Sequence, residues 1–146
     1  MVLRKVAGAQ TAEDSDDLRQ WLTDLDGPKQ VHETVLLTCP QHGEERPTWT
    51  YVEADAAAGV ARRRCLSCGT TVHVLDSEAR WTFPQMWACL GCGQSIAEVA
   101  AGLHLPDGER VEWVVLGARC VDCGRTAGLT DILVDRLPME QVLAEL

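Results

Sequence analysis

The sequence is short of positive charge. Its 13 Lys and Arg stand against 22 Asp and Glu in 146 residues, a formal charge of −9, which argues against a broad phosphate-binding face. Long apolar runs are also missing. Nothing approaches the roughly 18 residues of a membrane-spanning helix. No apolar stretch follows Arg4 and Lys5 as it would in a secretory leader, so a cytoplasmic protein with no membrane association is expected. Aromatic residues are few: one Tyr, one Phe and five Trp. With 46% hydrophobic and 24% charged residues, the chain is globular, neither disordered nor fibrous. It has no arrangement of nucleophile and base, so a non-enzymatic protein is expected.

What the chain does have is seven cysteines in a repeated pattern. Cys65-Leu66-Ser67-Cys68-Gly69, Cys89-Leu90-Gly91-Cys92-Gly93 and Cys120-Val121-Asp122-Cys123-Gly124 are three copies of one knuckle. Cys39-Pro40-Gln41-His42-Gly43 is a fourth, with His in the second place. Two intervening residues let a tight turn point both side chains at one ion, about 2.3 Å from each sulfur. Glycine after the second donor takes positive φ without a Cβ clash, and the turn aims backbone N–H groups at the thiolates. Cys39, His42, Cys65, Cys68, Cys89, Cys92, Cys120 and Cys123 make eight donors, enough for two tetrahedral sites with none left over. An odd cysteine count fits a disulfide framework poorly, and a cytosolic chain would not keep one.

Several pairings of the knuckles are open. Sequential pairing closes Cys39, His42, Cys65 and Cys68 across 22 residues, and Cys89, Cys92, Cys120 and Cys123 across 27. Nested pairing would join the inner knuckles across 20 residues and the outer across 77. Cross-bracing, first with third and second with fourth, is the remaining scheme. Loop entropy separates the first two by only about 1 kcal/mol. Internal repetition favours the sequential scheme: each half reads knuckle, connecting segment, an Arg-containing run into a second knuckle, then an apolar tail (residues 71–75 and 129–134). A repeat unit usually closes its own site.

On these four knuckles, residues 35–134 resemble the zinc-ribbon superfamily, in which two knuckles at the tips of β-hairpins clamp one zinc. The resemblance implies a small antiparallel β fold for each half and no single function, since ribbons serve transcription, translation, enzyme accessory domains and protein docking. The expected fold is a small metal-stabilised α+β protein with two tandem zinc ribbons and a helix at each end. Residues 1–30 form an N-terminal helical segment on the first ribbon, 31–77 and 78–136 the ribbons, and 137–146 a C-terminal helix.

The periodicity of Leu18, Trp21, Leu22 and Leu25 predicts a helix over 11–26, with acidic residues at its positive end and Gly27-Pro28 as its stop. Residues 31–38, 48–54, 60–64 and 111–116 read as strands, and 55–59 as a turn. The polar stretch 76–80 reads as the linker between halves, and Pro106-Asp107-Gly108 as a turn. Ser95-Ile96-Ala97-Glu98 has the form of a capping box, predicting a short helix from 96 to about 102. Pro138 opens the last helix. Halves of about 50 residues bury little core, so zinc is expected to supply what apolar packing lacks. Thiolate-bound zinc would take the charge from −9 toward about −12.

Four protein donors per site leave no open position, so the expected role is structural: two zinc ions per chain, in a protein that binds another protein or itself. A nucleic-acid ribbon is the first alternative. Arg62, Arg63 and Arg64, backed by Arg46, are the one basic cluster, with Trp49 and Tyr51 nearby for base stacking. Residues 39–75 nevertheless sum to zero charge, and an alternating strand divides the three arginines between two faces. The second alternative is redox: a rubredoxin-like iron at the all-cysteine site, or thiol exchange. Iron ranks behind zinc because His42 makes the first site less iron-like. His32, His73 and His104 lie outside the knuckles and read as packing or surface residues. Trp21, Trp49, Trp81, Trp87 and Trp113 read as core filling, or as an interface if exposed together.

Overall fold

A computed structural model describes residues 3–6, 9–42 and 48–146. It corrects the expected α+β pair of tandem ribbons with flanking helices. The described residues are mostly antiparallel β, with two short helices among them. Strands β1 (Leu3–Val6) and β2 (Ala9–Ala12) pair with each other. A seven-stranded sheet holds β3 (Glu33–Leu36), β4 (Thr50–Asp55), β5 (Val60–Cys65), β6 (Thr71–His73), β7 (Ala97–His104), β8 (Arg110–Cys120) and β9 (Thr126–Pro138). Its order is β6-β5-β4-β7-β8-β9, with β3 beside β7. The helices are α1 (Ser15–Thr23) and α2 (Met139–Ala144). None of the described helices is long and apolar enough to cross a membrane.

The halves do not stand apart. Each repeat is a meander, β4-β5-β6 and β7-β8-β9, and the two first strands join at their starts through the antiparallel pair Thr50–Ala97. Reading outward from that pair, Thr50 faces Cys65 on β5 and Ala97 faces Cys120 on β8. Leu66 N–H donates to Trp49 C=O, and Val121 N–H donates to Ile96 C=O at the matching place. The segments leading into the sites are exchanged. β3 runs along β7, ending with Leu37 N–H on Val99 C=O at 2.9 Å. In the other repeat Trp87 N–H meets Val52 C=O at 2.8 Å, and Met86 bridges Glu53. Leu37 and Trp87 each stand two residues before a site's first cysteine, and Val52 and Val99 each stand third in a first strand. The two halves are thus related by an internal approximate two-fold that holds down to single hydrogen bonds.

The sheet curls. Thr130 Oγ1 on β9 donates to Asp55 C=O at the β4–β5 tip, and Gly59 lies so close to β9 that a Cβ there would meet Asp131 C=O at 2.9 Å. Its concave face holds one core drawn from both repeats, including Val52, Ala61, Val74, Val99, Leu103, Val114, Leu116 and Ile132. Val142 and Leu146 at the α2 end close it. The polar 76–80 segment is a packed turn inside this unit: Ser77 is fully buried and accepts the Ala61 N–H, while Arg80 donates to Ala58 and Gly59 C=O.

The first helix is shorter than its periodicity predicts, because Thr11 and Ala12 are drawn into strand pairing. Thr11 bridges Arg125, and Ala12 N–H donates to Gly124 C=O at 2.7 Å. Asp14 then caps α1 by accepting the Asp17 N–H. Leu18 and Leu22, both fully buried, meet Val31, Ala100 and Val115. The helix therefore covers β3, β7 and β8 together, and each leucine contributes about 1.5–3 kcal/mol by burial. Gly117 makes that approach possible, since a Cβ there would lie 2.9 Å from Trp21 Cζ3.

The helix expected from 96 to about 102 is strand β7. Residues Ala97 to Leu103 are all buried, with β8 on one edge, β3 and β4 on the other, and α1 over Ala100. A central strand beneath a close helix needs small side chains, so its alanines fit the strand despite their helix preference. Glu98, read as a capping glutamate, pairs instead with Arg119 across the strands at 2.9 Å and accepts the Ser15 hydroxyl. The final helix begins after Pro138, as its sequence predicts.

Candidate metal centres

The eight sequence-predicted donors gather into two groups: Cys39, His42, Cys65 and Cys68, and Cys89, Cys92, Cys120 and Cys123. This is the sequential pairing. Within each group every donor atom lies within 4.8 Å of the others. Sulfur–sulfur distances are 3.6 Å for Cys39–Cys68 and for Cys89–Cys123, and 3.5 Å for Cys92–Cys120. A disulfide would need about 2.05 Å, whereas a tetrahedron of 2.3 Å bonds sets neighbouring sulfurs about 3.8 Å apart. All seven cysteines are free thiols. Both clusters fit a tetrahedral metal ion by donor chemistry and by spacing.

Local backbone chemistry repeats from knuckle to knuckle. Gly69, Gly93 and Gly124, with φ of 73°, 79° and 76°, donate to Cys65, Cys89 and Cys120 C=O at 2.9 Å. A residue with a Cβ would be strained at that φ. The chain then returns so that Cys65, Cys89 and Cys120 N–H reach Thr70, Gln94 and Arg125 C=O. In the first knuckle, His42 N–H donates to Cys39 C=O; Gly43 lies outside the described residues. The first cysteine of each knuckle faces the core, with Cys39, Cys65, Cys89 and Cys120 at most 6% exposed. His42, Cys68, Cys92 and Cys123 face solvent.

The thiols are already biased toward shared ionisation. The Thr70 hydroxyl, 3.1 Å from Cys68 Sγ, holds that thiol down at about 6. Burial pushes Cys89 up, but the Cys92 and Gly91 amides outweigh it and bring the thiol to about 7. Burial pushes Cys39, Cys120 and Cys123 up. A divalent cation displaces the protons that the buried sulfurs otherwise keep.

Supporting groups that the sequence pattern did not reveal complete the first cluster. Thr48, buried, accepts the Cys39 N–H at 2.7 Å. Arg63, only 9% exposed, donates through Nη1 to Thr38 C=O at 2.9 Å and through Nε to Leu146 C=O at 2.8 Å. Burial lowers its pKa, while the Cys39 and Cys65 thiols act in the opposite sense. No spacing rule marks Thr48, which lies outside every knuckle. For Arg63 the one available sign was alternation, which sends it inward.

The arginine run does not form a basic patch. Arg62 is paired to Glu53 at 2.7 Å and lies over the Trp81 ring, Arg63 is buried, and Arg64 lies over Tyr51. Arg46 lies outside the described residues. Among the histidines outside the knuckles, His73 meets Trp81 edge-on, and His32 lies 5.2 Å from His104. His32 Nδ1 accepts the Leu105 N–H, while His104 Nδ1 meets Gln30 C=O; neither reaches a cysteine cluster. Trp21, Trp87 and Trp113 pack against the cores, whereas Trp49 is 52% exposed. No protein-family model, no curated protein and no solved structure matches the chain, so the two donor clusters carry the functional argument by themselves.

Proposed function

We propose that this is a zinc-binding, non-enzymatic protein in which two structural zinc ions fix the hairpin ends of the sheet and the surface serves as a protein-interaction module. The observation that carries the reading is the pair of complete donor sets, each of four protein side chains from two knuckles. A catalytic zinc keeps a position for water or substrate, and these sets are full. Knuckles at hairpin ends support kinship with the zinc-ribbon superfamily at the level of the sites. His42 favours zinc over iron at the first site, and free thiols throughout suit a reducing compartment such as the cytoplasm.

An interaction role is supported by exposed large apolar side chains: Leu90 within a knuckle is 90% exposed, Trp49 beside one 52%, and Phe83, toward the β4–β5 tip, 84%. Such residues, in a chain of charge −9, suit a partner protein better than a phosphate backbone. Arg62 to Arg64, spent on internal contacts, do not favour nucleic acid. Native mass spectrometry with elemental analysis tests the metal reading. Two zinc ions per colourless chain are expected. Iron with a visible thiolate band, or intramolecular disulfides, would overturn it. Anisotropy titration with nucleic acid at low salt should show no submicromolar binding.

A further inference from the structure

From the exchanged strands we infer that the two metal sites are coupled, so that filling one raises the affinity of the other. This rests on reading both clusters as metal sites and adds how they are regulated. The first knuckle of each site is seated on the opposite repeat. Leu37, two residues before Cys39, is bonded to Val99, and Trp87, two residues before Cys89, is bonded to Val52. The second knuckles share one sheet row: Cys65 faces Thr50, Thr50 faces Ala97, and Ala97 faces Cys120. Three strand steps of about 4.8 Å put the Cα atoms of Cys65 and Cys120 roughly 14 Å apart. That is too far for the ions to share a donor, but the row between them is continuous backbone pairing.

An ion at the second site fixes Cys89 relative to Cys120. Through Trp87 and Ala97 this also fixes both ends of the Thr50–Val52 stretch, which orients Cys65. An ion at the first site fixes Cys39 relative to Cys65, and through Leu37 and Thr50 it fixes the Ala97–Val99 stretch that orients Cys120. Each ion therefore meets part of the ordering cost of the other site. Positive coupling between sites of a protein commonly amounts to about 5–150-fold in affinity, and linkage makes the factor equal in both directions.

The test uses the full chain and two variants altered only at exposed donors: Cys92→Ser with Cys123→Ser, and His42→Ala with Cys68→Ser. Zinc affinity is measured by chelator competition, and cobalt(II) spectra distinguish the mixed sulfur–nitrogen donor set from the all-sulfur one. Emptying the second site should weaken the first by about tenfold or more, and emptying the first should weaken the second by the same factor. Unchanged affinity at the intact site overturns the coupling while leaving both metal sites standing. A wild-type chain that binds no metal refutes the metal reading itself. If a variant fails to fold, hydrogen exchange on wild-type protein with one equivalent of zinc decides. Chains protected in both repeats together support coupling, and protection confined to one repeat overturns it.

Discussion

Arg63→Met should damage the first metal site without touching a donor. The substitution removes two hydrogen bonds from a guanidinium that is only 9% exposed, to Thr38 C=O at 2.9 Å and to Leu146 C=O at 2.8 Å. Leu146 is itself 4% exposed, so its carbonyl gains little from water in exchange. A buried acceptor left without a donor costs about 1–3 kcal/mol, giving a gross loss of about 2–6 kcal/mol for the two. Part returns, because methionine no longer carries a charge into the interior, where burial costs several kcal/mol per ion. A net loss of about 2–3 kcal/mol is expected. Thr38 precedes Cys39, so the knuckle also loses its anchor, and loss of such supporting partners lowers metal affinity by about 10–100-fold. Urea unfolding at saturating zinc measures the stability, and cobalt titration reports the histidine-containing site apart from the all-cysteine one. The reasoning fails if Arg63→Met leaves the unfolding midpoint and the affinity of the histidine-containing site at wild-type values, or weakens both sites alike through general unfolding with the charge-preserving Arg63→Lys no better.

Gly117→Ala should lower stability by about 1–3 kcal/mol through overpacking, since the new Cβ would lie 2.9 Å from Trp21 Cζ3 and 3.0 Å from Leu22 Cδ2; a thermal melt at saturating zinc measures it. Glu98→Ala strips the partner from Arg119, whose side chain is 13% exposed, and should cost about 3–5 kcal/mol, with the Glu98→Ala, Arg119→Ala double variant recovering part of the loss. Acidification should release metal. The Cys68 and Cys89 thiols are held at about 6 and about 7, below a free thiol near 8.5. Their contribution to apo-protein stability is therefore complete above the unfolded value and is lost as pH falls through the folded ones. Protons compete with the ion over the same range, so metal content after dialysis should fall as pH drops below 7, and metal retained in full at pH 4 would contradict this.

The donors and their partition were legible because a knuckle is a local object. Two residues between donors and a glycine behind them determine the turn wherever the chain later goes, and repetition of the unit indicated which knuckles close together. Strands β4, β5 and β8 and the terminal helix were legible for the same reason, through local β-formers or a proline at the first turn. Residues 95–102 were not. Their capping-box pattern, Ser95 with Glu98, reads as a helix start in isolation, and only the neighbours on both edges and the helix above make a strand of small residues the favourable state. Nor could the fate of the arginines be read off. Glu53, Trp81, Tyr51 and the Leu146 carbonyl, which absorb them, stand from 9 to 83 positions away and become partners only after folding.

By itself, then, the sequence determined the eight side chains and the turns that present them, set by covalent spacing and backbone sterics, and through repetition it favoured the grouping that the structure shows. Tertiary structure alone decided that the two units fuse into one curled sheet, that each seats the other's leading segment, and that a single core serves both. Those outcomes depend on backbone hydrogen bonds between residues some 35 to 62 positions apart, and backbone pairing carries no mark in the identity of the side chains it joins.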